Sequence, residues 1–212
     1  MERPRSPRRV AFDEQYFNTY YRDYVAQNPP RRLRFYAQTI ERHLAPGAPR
    51  RIHDIGFAFG RFLGSLDPAW QIFGTDVSEF AVARAARENS RGVFKVAPAE
   101  ARGVFDVIER LPDPDAVARA VIEELVDGGC FVFVVPVYDG LSGPVIRLLD
   151  RDPTHLHKWP RQRWLDWAES HFALVEWQGI LRYLLPGGYY LHLVTEALRR
   201  HTPAIIVVAW KR

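Results

Sequence analysis

The 212-residue chain is poor in cysteine, methionine and lysine: it has one Cys, one Met, and lysines only at Lys95, Lys158 and Lys211. A single cysteine, Cys130, excludes an intramolecular disulfide framework and a cysteine-based zinc site. His155 and His157 have no convincing third ligand nearby, so no metal is expected. No apolar run reaches transmembrane length, and no membrane partner is expected. The N-terminus, MERPRSPRRV, is basic but has no apolar stretch behind it, unlike a secretory signal. These absences together give a cytoplasmic protein as the expectation. With so little lysine, the positive charge is carried by arginine, and unevenly. Residues 1–50 hold ten Arg against five acids, whereas the remainder holds 19 basic against 20 acidic residues. The net charge of +4 is therefore an N-terminal property. The basic character does not extend over the rest of the chain, so nucleic acid is not expected as a partner.

What is present is ordinary globular material. Hydrophobic residues make up 47% and charged residues 25%, which excludes wholesale disorder. The length suits one domain. Residues 1–11 read as a disordered basic arm and 12–212 as the domain, with 12–45 a helical N-terminal cover. Asp13 is placed to cap a helix over 12–26, where Tyr16, Phe17, Tyr20, Tyr21 and Tyr24 recur at helical spacing. Asn28-Pro29-Pro30 breaks the chain, and 31–44 is amphipathic. Strand-like runs then alternate with helical ones. The strands are Arg51–Ile55, Gln71–Thr75, Gly92–Val96 and Cys130–Val137; the helices start near Arg61, Glu79 and Ala116. This alternation predicts an α/β fold with a parallel sheet and helices on both faces. Ala173–Ile180 and Ala204–Trp210 read as further strands, with a helical stretch near 189–200 between them. A helix begins at Pro160. Trp159, Trp164, Trp167 and Trp177 read as core or dimer-interface packing, and a homodimer is one expectation.

The sharpest feature is Asp54-Ile55-Gly56-Phe57-Ala58-Phe59-Gly60, directly after the first strand. A strand turning tightly into a helix needs small residues there, and a ligand's polar groups can meet the helix N–H groups. Gly-x-Ala-x-Gly departs from the G-x-G-x-x-G of dinucleotide binders. A tight turn with no ligand is the other reading. Twenty residues after Gly56, the stretch Gly74-Thr75-Asp76-Val77-Ser78 ends the next strand. An acid at that spacing can accept from both ribose hydroxyls, or can cap the following helix, for which Ser78 is the better candidate.

The stretches RIHDIGFAFGRFLGSL and IFGTDVSEFAVARAARENS, followed by VFDVIERLPDPDAVARAVIEELVDGGCFVFVVP, resemble a class I S-adenosylmethionine-dependent methyltransferase over residues 51–137. The resemblance implies a mostly parallel seven-stranded sheet with an antiparallel last strand, and S-adenosylmethionine as cofactor. It implies Gly56, Ala58 and Gly60 at the methionine end, Asp54 supporting that turn, Asp76 at the ribose and Val77 beside the adenine. Pro98 stands where an acid often meets the adenine, which leaves Glu100 as the substitute. Phe57 is bulkier than the family favours, Arg110 replaces a usual His, and about ten residues are absent around the fourth strand. Val104–Ile108 is the only run left to supply that strand.

The implied function is methyl transfer to a small-molecule acceptor. The alternative is a methyltransferase-like binding or scaffold protein without turnover; an oxidoreductase is disfavoured by the loop spacing. After the fifth strand, Tyr138, Asp139, His155, His157 and Lys158 lie where α/β sheets place ligands. His155 and His157 are the candidate general bases, with polar loop anchoring as the other reading. They alternate, so one of them faces the site. Arg182, Tyr183, Tyr189, Tyr190 and His192 read as a lid or as packing. Arg147, Lys158 and Arg182 suggest an anionic acceptor, such as a carboxylate or a sugar phosphate.

Overall fold

The computed structural model describes residues 12–96, 108–140, 143–150, 154–185 and 189–212. The chain opens with α1 (Glu14–Tyr20), a short α2 (Tyr24–Gln27) and α3 (Pro30–His43). Asp13 caps α1 by accepting from the Tyr16 amide at 2.9 Å, as its position predicts. Then come β1 (Arg51–Ile55), α4 (Arg61–Gly64), β2 (Gln71–Asp76), α5 (Glu79–Glu88) and β3 (Val93–Val96). A 3-10 turn at Ile108–Arg110 leads into α6 (Pro114–Glu124) and β4 (Cys130–Pro136). The last part is α7 (Gly143–Leu149), α8 (Arg161–His171), β5 (Ala173–Leu184), β6 (Tyr190–Thr195) and β7 (Ala204–Trp210). No helix among the described residues is long and apolar enough to cross a membrane.

The seven strands do not form the expected mostly parallel seven-stranded sheet. They form a parallel sheet ordered β1-β2-β3 and an antiparallel sheet ordered β4-β7-β5-β6. Residues 104–107 of the predicted fourth strand lie outside the described residues, and Ile108, fully buried, opens the 3-10 turn. A physical limit explains the difference. A parallel crossover takes a dozen or more residues and usually a helix, but only eleven residues separate Val96 from Ile108. The helix predicted near 189–200 is also corrected, because β6 occupies its first half. Tyr190-Leu191-His192-Leu193-Val194 alternates, and the backbone pairs with β5 from Tyr190–Leu184 through Thr195–Gly179.

Side-chain packing joins the two sheets. Ile52 of β1 and Ile72 of β2 share one apolar cluster with Val132, Val134, Ile206 and Val208 of the antiparallel sheet, under Leu33, Tyr36 and Ile40 of α3. On the opposite face, α6 and α8 cover β4 and β7 through Val117, Val121, Trp164 and Trp167. Trp164 is fully buried and Trp159 packs against it, tilted, with ring centroids 4.4 Å apart, so this part of the tryptophan cluster is core. Burial of this kind is the main stabilising term, roughly 25 cal/mol per Å² of apolar surface.

Candidate active site

At the end of β1 the chain folds back sharply. The Gly56 amide donates to the Thr75 carbonyl at 2.7 Å, and three residues take positive φ: Gly56 (77°), Ala58 (53°) and Gly60 (69°). Only glycine enters this region without steric cost, so Ala58 is held there by its surroundings. The holder is Asp76. Its Oδ2 accepts from the Ala58 amide at 3.0 Å and its Oδ1 from the Ser78 amide at 2.9 Å. One buried carboxylate thus fastens the β1–α4 loop to the β2–α5 turn. Ser78 is the helix cap, its hydroxyl accepting from the Ala81 amide at 3.1 Å. Phe57 does not block the loop. Its ring is buried, lies edge-on to Phe94 at 5.2 Å, and covers Gly74, where a Cβ would come within 2.5 Å of it.

Gly60 serves a packing role. A Cβ there would lie 3.1 Å from both Ala85 Cβ and Asn89 Nδ2, so its absence lets α4 approach α5. Gly60→Ala combines that contact with a left-handed φ and is expected to cost about 1–2 kcal/mol. Thermal melting of the variant checks this; an unchanged midpoint would show that the turn relaxes freely.

Above the loop, beneath α1 to α3, lies a cavity of about 220 Å³. Asp54, Gly56 and Ala58 form its floor, Tyr20, Tyr21 and Tyr24 one wall, and Arg32 and Arg110 bring two guanidinium groups to it. Asp54 is buried, and its Oδ1 has no hydrogen-bond partner among the described residues. Burial, and secondly the nearby Asp76 charge, push its carboxyl up to about 7. Burial likewise raises the Tyr21 and Tyr24 phenols far above their ordinary value, so both are neutral hydroxyls. Arg32 donates to the Gln27 carbonyl at 2.9 Å and the Tyr36 hydroxyl at 3.0 Å, and lies over the Tyr190 ring. Arg110 donates to Thr154 Oγ1, and its Nε is 3.5 Å from Glu109 Oε1.

Behind Arg110 sits a network of charged groups from the segment after β4. Tyr138 donates to Asp150 at 2.5 Å, and Lys158 Nζ is 3.0 Å from the same carboxylate. His155 Nδ1 lies 2.9 Å from Asp150 Oδ2, and its Nε2 3.5 Å from Glu109 Oε1. Burial alone would raise the Asp150 carboxyl, but hydrogen bonds from Tyr138, His155 and Lys158 outweigh it and hold the group well below the usual carboxylate range. His157 is an anchor for the chain, with Nε2 2.6 Å from the Leu111 carbonyl and its amide donating to the Glu109 carbonyl.

The structure therefore brings together Asp54, Gly56 and Ala58 of the expected cofactor residues. Gly60, Asp76 and Val77 are adjacent in the fold but are not walls of the cavity, and Glu100 lies outside the described residues. Neither His155 nor His157 lines the cavity; His155 reaches it through Glu109 and Arg110. Arg147, Lys158 and Arg182 are not among its walls, and the cations that are, Arg32 and Arg110, come from other elements. Arg147 and Lys158 instead flank the Tyr138 ring. Arg32 was hidden in the sequence because it sits on the mainly apolar face of α3, where spacing alone reads as core.

No protein-family model matches the sequence, and no curated protein does. Solved structures do match. A SAM-dependent methyltransferase of Thermotoga maritima aligns at TM-score 0.62 and 13% identity, covering 93% of this chain and 97% of that one. One from Anabaena variabilis aligns at 0.62 and 16%, covering 94% and 93%. The [4+2]-cyclase SpnF aligns at 0.57 and 19%, covering 87% and 85%. The chain has the class I methyltransferase fold, and as the cyclase illustrates, that fold carries more than one chemistry.

Proposed function

We propose that this chain, with its methyltransferase fold, transfers a methyl group from S-adenosylmethionine to a small-molecule acceptor. The observation that carries the reading is the buried Asp54 carboxylate, open on one oxygen at the floor of the cavity and set on a turn of positive-φ residues. A buried carboxylate left in this state is costly unless a ligand completes it. The methionine end of the cofactor carries an ammonium and a carboxylate. Asp54 suits the first, and Arg32, fixed by Gln27 and Tyr36, suits the second. Gly56 and Ala58 bring bare backbone to the floor, and Phe57 and Phe62 add apolar surface beside them. Asp76, which holds the Ala58 and Ser78 amides at this loop, would meet the ribose hydroxyls, and Val77 would flank the adenine. When bound, the cofactor supplies a methyl group activated by a sulfonium. The protein's own part is alignment and exclusion of water.

The second reading is a binding or scaffold protein without turnover. It is favoured by the division into two sheets and by a cavity that stops short of Asp76. Calorimetry with S-adenosylhomocysteine tests the cofactor site common to both. Micromolar binding, lost in Asp54→Asn, is the expected result; no heat at millimolar ligand would remove the cofactor from the account.

A further inference from the structure

The cavity that has Asp54 on its floor has Arg110 in its wall. Resting on the methyl-transfer reading above, we propose that Arg110 is the acceptor-binding residue and that the acceptor presents a carboxylate on a flat apolar body. The guanidinium is held from behind. Glu109, fully buried, faces its Nε, and the buried Thr154 hydroxyl accepts from one of its amino groups. An arginine pinned in this way loses little freedom on binding, and its permanent positive charge suits a carboxylate. The walls nearby are the rings of Tyr20, Tyr21 and Tyr24, with the Gln27 and Asn28 amides at their edge. A compact phosphate would leave those aromatic faces unmatched, whereas a flat organic acid covers them.

The chemistry of the surrounding groups points the same way. An alcohol is a weak nucleophile until a base takes its proton, so methylating one needs a base at the acceptor, whereas a neutral amine attacks through its lone pair and sheds a proton only afterwards. Among the described residues no histidine lines the cavity, and His155 turns one ring nitrogen toward Asp150 and the other toward Glu109. Asp54 is committed to the cofactor's ammonium. A carboxylate needs no base. A lone pair on its oxygen forms the new O–C bond while the C–S bond of the donor breaks, the electron pair stays on sulfur, and no proton is released. Glu109 and His155 are then positioning groups for Arg110.

The test uses the full-length protein, with benzoate as the probe and benzamide as its neutral counterpart. Calorimetry is expected to show benzoate binding at least about tenfold tighter than benzamide, as hydrogen bonds to a charged group allow. Arg110→Gln is expected to bring benzoate down to the benzamide level, and Arg110→Lys to fall between. Equal affinities for the two probes in the parent protein overturn the proposal without needing any variant, as does the absence of benzoate binding at millimolar concentration. Loss of S-adenosylhomocysteine binding in Arg110→Gln would assign Arg110 to the cofactor and overturn it as well. Failure of the parent to bind S-adenosylhomocysteine while benzoate still discriminates would instead sink the cofactor reading and leave the Arg110 anion site standing.

Discussion

Asp54→Asn is expected to make the protein more stable and, at the same time, unable to hold the cofactor. Burial and the Asp76 charge push the Asp54 carboxyl up to about 7, well above its ordinary value of 3.8. The folded state thus keeps this proton at pH values where the unfolded chain has released it. Stability from this group is complete below about pH 4 and is lost as pH rises through 7. At pH 8 the ionised carboxylate burdens the fold by roughly 4 kcal/mol, because each tenfold change in proton affinity is worth about 1.36 kcal/mol. Asparagine has nearly the same shape and no charge to bury. In urea unfolding, the gain of Asn over Asp is expected to be near zero at pH 4 and to grow to a few kcal/mol by pH 8. The depressed carboxyls of Asp115 and Asp150 affect both proteins equally and cancel in the difference. Parallel pH profiles would show that Asp54 is not protonated near neutrality. The same carboxylate must be ionised to pair with an ammonium. S-adenosylhomocysteine affinity in the parent is therefore expected to fall about tenfold per pH unit well below 7 and to level off above it.

Asp76→Ala acts in the opposite direction. It removes the acceptor for two buried amides, those of Ala58 and Ser78, and each unsatisfied amide costs about 1–3 kcal/mol. Ala58, at a φ of 53°, is also freed to leave the left-handed region. We expect a loss of about 2–5 kcal/mol in the absence of ligand, together with weakened cofactor binding as the floor of the cavity rearranges. A melting temperature equal to the parent's would mean that the two turns hold themselves. In that case, any loss of affinity would belong to the ribose contact alone.

Much of the local structure is legible in the sequence because it rests on short-range rules. β1 and β7 fall on the residues predicted for them, and Asp13 and Ser78 cap α1 and α5 through oxygens three residues from their partners. The glycine turn and its acid at twenty residues also stand together in space, because parallel β1 and β2 are neighbours joined by α4. Residues at 189–200 mislead at this level, since a Leu- and Tyr-containing stretch fits a helix until β5 supplies a pairing edge.

The order of elements from β1 to β3, the place of the turn, the shortage of chain between β3 and α6, and the likeness to a methyltransferase are all readable along the chain. Each of these depends on residues close in sequence. The division of the strands into a parallel and an antiparallel sheet is not readable there, because pairing is settled by which edges crossovers of a given length can bring together. The same holds for Asp76 as the tie between two turns, for the burial of Asp54, and for His155 held between Asp150 and Glu109. Packing also placed Arg32 and Arg110 in one cavity, from distant positions in the chain, while Arg147, Lys158 and Arg182 went elsewhere. Charge and burial are properties of a place in space, and the chain acquires them only once distant segments have packed.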